Sequence, residues 1–155
     1  MSNTLLAAGL VGIVLVSGWL SLIDIREHRL PNRIVGPLAA GVTGWLVMLG
    51  IVNGELDRTV SALGWGLAGF GVFLALNLTA GLGMGDVKYA MPVCATLGWF
   101  GWDSLRYAIF GLALSGAVAG LVAISQGKGQ QHRIAYGPFM AFGLVCGIVR
   151  GVWFG

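Results

Sequence analysis

Asp24 and Asp86 are the residues of this chain whose type and setting point to chemistry. Asp24 stands where the first apolar run ends, and Asp86 stands inside Gly83-Met84-Gly85-Asp86, just after the third. The chain has 6 acidic residues against a hydrophobic content of 57%, so a carboxylate at the rim of an oily segment needs a reason. An unpaired ionisable group in hydrocarbon is costly, and such groups mark functional sites by default. Two carboxylates held together cannot both ionise cheaply, so the pair keeps a proton. One partner can then take a proton from water while the other gives one to a substrate oxygen. That chemistry requires two elements, distant in sequence, to present both acids at the same depth.

Hydropathy supplies those elements. Charged residues make up 10% of the chain, against about 25% in a soluble globular domain, so nearly all of it belongs in a bilayer. A helix needs about 20 apolar residues to cross the hydrocarbon core. On that measure six spans emerge: Leu5–Ile23, Ile34–Val52, Val60–Ala80, Val87–Trp102, Tyr107–Ser125 and Ile134–Val149, with the last extendable to Phe154. The runs are apolar on every face rather than alternating, which selects helices over a β-barrel. The expected fold is therefore all-α, a single polytopic membrane domain over residues 1–155 built as a bundle of about six transmembrane helices. Arg26, the first basic residue, follows the first run instead of preceding it, so that run reads as a permanent helix and not a cleaved signal. Cys94 and Cys146 lie inside apolar spans without a CxxC and read as buried small hydrophobes. The 27 glycines, including Gly12, Gly64, Gly66, Gly69 and Gly71, read as close helix packing.

Charge distribution gives an orientation. The net charge of +3 falls in alternate loops rather than in a nucleic-acid-binding patch. Arg26, Arg29, Arg33, Lys88, Lys128 and Arg133 flank the first, third and fifth loops, whereas Arg58, Arg106 and Arg150 lie on the other side. The positive-inside rule then places the first, third and fifth loops in the cytoplasm and both termini outside. Asp24 leaves the first helix on the cytoplasmic side and Asp86 enters the fourth from that same side, so the two carboxylates are free to face each other.

Each motif also has a plain structural account. In Asp24-Ile25-Arg26-Glu27-His28-Arg29-Leu30-Pro31-Asn32, Pro31 opens the next helix, where its missing N–H costs nothing. In Gly81-Leu82-Gly83-Met84-Gly85-Asp86-Val87-Lys88, the glycines form a loop, or let a substrate backbone approach the carboxylate. Lys88, two residues from Asp86, does not share its helical face and snorkels toward the surface. Ala135-Tyr136-Gly137-Pro138-Phe139-Met140-Ala141-Phe142-Gly143 reads as a helix entrance, with no chemistry assigned to it. Asp24 and His28 share i,i+4 spacing, but His132 is remote, so no metal site is expected.

Together, Asp24 through Pro31-Asn32, Gly83-Met84-Gly85-Asp86-Val87-Lys88 and Tyr136-Gly137-Pro138-Phe139 resemble the signatures of type IV prepilin peptidases, intramembrane aspartic proteases of the GxGD kind. The resemblance covers essentially the whole chain in the same order. It implies Asp24 and Asp86 as the catalytic pair, with Gly83, Gly85, Lys88, Pro31 and Asn32 shaping the site or binding substrate. It also implies a prepilin or pseudopilin substrate with a short basic leader and an apolar helix, cut at the cytoplasmic face of the inner membrane, and no cofactor. Larger members carry paired CxxC motifs and methylate the new amino terminus. Here no CxxC occurs and the first span starts close to Met1, so the chain is similar to short, peptidase-only members that process Flp/Tad-type pilins, or to archaeal preflagellin peptidases. The competing expectation is a scaffold or transporter subunit using the aspartates as a proton relay or in salt bridges. Presenilin-like proteases also use GxGD, but pair it with a Tyr-Asp and a later Pro-Ala-Leu, and this sequence lacks both.

Overall fold

The computed structural model describes residues 2–27, 30–125 and 136–154. Six helices follow one another: α1 (Ser2–Glu27), α2 (Asn32–Asn53), α3 (Leu56–Ala80), α4 (Met84–Phe100), α5 (Trp102–Ser125) and α6 (Gly137–Phe154). All except α4 are long and apolar enough to cross a membrane. Their outward faces carry apolar side chains such as Leu15, Leu67, Leu78 and Phe110. In water that would be untenable; in a bilayer such residues can meet lipid tails, while helices satisfy most of their backbone bonds internally.

The exception organises the rest. At 17 residues, α4 is about 25 Å long by the rise of a helix, short of the roughly 30 Å core. It packs against α2, α3, α5 and α6, and Val87, Tyr89, Ala90, Thr96 and Leu97 along it are almost fully buried. A helix enclosed by others meets protein rather than lipid along its length. The close packing rests on small residues. A Cβ at Gly66 would sit 3.1 Å from the Met91 carbonyl oxygen, and one at Gly69 would sit 2.4 Å from Cys94 Sγ. Both glycines therefore let α3 close onto α4, as the packing expectation holds. Gly12, Gly64 and Gly71 depart from it, because a side chain there would meet nothing within 4 Å.

Helix ends differ from the hydropathy reading in an informative way. The backbone at Gly101 has φ 94 and ends α4, so Trp102 opens α5 rather than closing α4. Its ring stacks on Trp65, 5.1 Å between centroids. Helix α1 continues to Glu27 past the expected Ile23, because the helix outlasts its apolar stretch. The expected sixth span began at Ile134, which lies outside the described residues; α6 begins at Gly137. Up-and-down alternation then gathers the end of α1, the start of α2, the end of α3 and the starts of α4 and α6 at one end of the bundle. At the other end Asp103 pairs with Arg106 and with Arg150, the latter at 3.6 Å. The Arg150 guanidinium lies over the rings of Tyr107 and Phe154.

Candidate active site

Asp24 comes from the last turn of α1 and Asp86 from the first turn of α4, and the bundle brings them within electrostatic reach of each other. Both are buried, at 4% and 8% exposure. Neither forms a salt bridge among the described residues. This matters because a buried carboxylate is ordinarily paired with a cation; here neither acid has such a partner among the described residues, and each lies within electrostatic range of the other.

Their partners differ. Asp24 Oδ2 accepts a hydrogen bond of 2.8 Å from the backbone N–H of Gly137. Gly137 opens α6 and is followed by Pro138, which has no N–H to give, so the helix start aims its free donor at a carboxylate. The approach also depends on the missing side chain, since a Cβ on Gly137 would lie 2.9 Å from Asp24 Oδ2 and 3.1 Å from Asp24 Cβ. Asp86 instead folds back on its own loop. Its N–H donates to the Gly83 carbonyl at 3.0 Å, and a Cβ at Gly83 would lie 2.9 Å from Asp86 Oδ2. Asp86 Oδ1 is buried without a hydrogen-bond partner among the described residues. An orphan oxygen of this kind is costly in a structure and valuable at a site that must receive a proton or a water.

The surrounding residues hold these helix ends in register. Gly81 closes α3 in the left-handed conformation at φ 71, where glycine is favoured. The Asn77 side-chain amide donates to the Leu82 carbonyl and fastens the turn. Gly85 reads either as a loop residue or as room for a substrate backbone; where its side chain would stand, the protein's own chain is packed. A Cβ there would meet Leu30 Cβ at 2.7 Å and the Leu30 carbonyl oxygen at 2.9 Å. Pro31 caps α2, its carbonyl accepting from the Ile34 and Val35 N–H groups. Lys88 Nζ donates to Asn32 Oδ1 at 3.1 Å, tying α4 to α2 at the rim. Lys88 and Asn32 thus join each other rather than either aspartate. His28 and Arg29, with Lys128, His132 and Arg133 of the fifth loop, lie outside the described residues.

Gly137 and Leu30 stand in the quoted motifs but were given no role there. Gly137 sat in a stretch given no chemistry; a glycine before the first proline of a helix was the available signal. Leu30, 8% exposed, carries the contact to Gly85. Deeper in the bundle, the Tyr89 and Ser17 hydroxyls are both buried without a hydrogen-bond partner among the described residues.

The sequence model of the type IV leader peptidase family matches residues 10–125, spanning both aspartates. A prepilin leader peptidase/N-methyltransferase of Burkholderia pseudomallei (strain 1026b) is 30% identical over 133 residues, which are 80% of this chain and 40% of that protein. The Escherichia coli (strain K12) protein of the same description is 27% identical over 86% of this chain and 59% of its own length. The chain thus spans 40% to 59% of these relatives. The leader peptidase HopD of Salmonella typhimurium is closer in length, 29% identical over 85% of this chain and 84% of that protein. No solved structure matches the chain. With two buried acids at one end of an apolar helix bundle, and a family match over most of its length, the chain belongs to the type IV leader peptidase family.

Proposed function

We propose that this chain is an intramembrane aspartic endopeptidase that removes the short basic leader of Flp-like type IV prepilins at the cytoplasmic face of the inner membrane. The observation that supports the reading is that Asp24 and Asp86, 62 positions apart in the chain, are both buried at one end of the bundle within electrostatic range of each other, with no cationic partner among the described residues. Two carboxylates held together favour a state in which one keeps its proton. The ionised partner takes a proton from water as its oxygen attacks the scissile carbonyl carbon. The protonated partner gives its proton to the carbonyl oxygen, forming a tetrahedral intermediate without a covalent adduct to the enzyme. Collapse re-forms the carbonyl, breaks the C–N bond and sends a proton to the leaving amine. The proton belongs to the pair and not to either residue. The proposal is confined to the peptidase step.

The scaffold or transporter alternative assigns the aspartates to salt bridges or a proton relay. The absence of any ion pair to either acid among the described residues weighs against salt bridging. The test is co-expression with a Flp-type prepilin in cells lacking their own processing enzyme, read as pilin mass on a gel. Wild type is expected to shorten the pilin, while Asp24→Asn and Asp86→Asn accumulate normally and leave it uncut. Cleavage by either variant refutes the dyad, and failure of wild type across a panel of prepilins refutes the activity.

A further inference from the structure

Between α1 and α2 runs an apolar groove of about 510 Å³ that opens sideways to the bilayer. Its far end is shut by Trp45. That ring lies across Gly9, where a Cβ would fall 1.9 Å from Trp45 Cε2, and its Nε1 donates to the Leu5 carbonyl at 3.0 Å. Toward the aspartate end the two helices leave the space between them unfilled: a Cβ on Gly12 or Gly41 would meet nothing within 4 Å. Trp19 and Arg33 stand at that mouth. Trp19 is five residues before Asp24, about 7–8 Å deeper along α1. From Gly9 to Trp19 the groove covers about 15 Å, half the hydrocarbon thickness.

The mouth has a backbone peculiarity. Pro37 lies inside α2 and lines the groove, and without an N–H it gives no helical bond to the carbonyl of Arg33. A helix entering here brings the opposite need, because its first turn carries N–H groups with no intrahelical acceptor.

We infer that this groove seats the apolar helix of the peptide substrate, first turn at Arg33 and Trp19, with the following ten residues or so against Gly12 and Gly41. The inference rests on the peptidase reading, which requires a substrate whose membrane helix begins beside the aspartates. Small residues let such a helix approach closely, and van der Waals packing supplies its affinity where no hydrophobic drive exists between helices in lipid. The Trp45 stop sets how deeply the contact extends. A groove filled by lipid tails alone is the outcome that the experiment must separate.

The experiment places a photo-crosslinking side chain at Gly12 or Gly41, and as controls at Gly64 or Gly71, which face open space on α3. Each is built in the Asp86→Asn protein and co-expressed with full-length prepilin, while wild-type cleavage is scored in the same cells. Adducts with prepilin at Gly12 and Gly41 but not at Gly64 and Gly71 are expected. Cleavage by wild type with lipid-only adducts at Gly12 and Gly41, or equal adducts at all four sites, overturns the groove alone. Absence of wild-type cleavage across a panel of prepilins overturns the peptidase reading and this inference with it. A second arm fills the groove in the otherwise unaltered protein. Gly12→Phe with Gly41→Phe is expected to raise KM for full-length prepilin about tenfold with kcat unchanged, the signature of lost uniform binding. An unchanged KM overturns the inference.

Discussion

Gly137→Ala isolates what the start of α6 does for Asp24. The backbone of Gly137 is helical with no positive φ, so alanine is tolerated conformationally and its effect is steric. The added methyl would fall 2.9 Å from Asp24 Oδ2 and 3.1 Å from Asp24 Cβ. Either the carboxyl rotates away or α6 retreats, and the 2.8 Å hydrogen bond is lost in both cases. A hydrogen bond to a charged group contributes about 1.5–3 kcal/mol. If that stabilisation is carried into the transition state, its loss lowers kcat roughly 10- to 150-fold. Gly137 lies behind Asp24 and outside the groove, so KM is expected to stay within about threefold. The assay is cleavage of purified prepilin in detergent, with the unfolding midpoint of each variant measured alongside. Gly143→Ala is the control, because its Cβ would lie 2.6 Å from the Ala108 carbonyl oxygen and so crowds α6 against α5 without touching Asp24. The reasoning is refuted if Gly137→Ala keeps full kcat, or if both variants lose activity only in proportion to lost stability.

Three further outcomes follow from the same geometry. Asp86→Asn removes a buried acid whose Oδ1 has no partner and relieves the repulsion with Asp24, so it is expected to abolish cleavage while raising stability by about 1 kcal/mol; a lowered unfolding midpoint contradicts this. Gly85→Val drives a side chain into the Leu30 backbone and is expected to cost about 1–3 kcal/mol by overpacking, read as a lower unfolding midpoint. Lys88→Ala removes an exposed hydrogen bond to Asn32, and its stability is expected to stay within about 0.5 kcal/mol; a larger loss means the tie between α4 and α2 carries more than a rim contact.

Much of this protein is legible from composition alone, for a physical reason. In a bilayer the backbone has to satisfy itself, so long apolar runs leave only helices, and up-and-down alternation dictates which chain ends share a side. That is why Asp24 and Asp86 are visible as a candidate pair, and why they emerge at the same end of the bundle. What the sequence does not contain is where each helix meets its neighbours. Gly66 and Gly12 look alike in the chain, yet one seals α3 against α4 while the other leaves a groove open. Gly85 reads as a loop residue or as room for a substrate, and Leu30 packs against it. Gly137 reads as a helix entrance and donates to Asp24. Hydropathy depends on what each residue is, and it survives in the sequence. The acid pair's surroundings depend on distances between residues more than a hundred positions apart, such as Asp24 and Gly137, and only packing of the helices decides those.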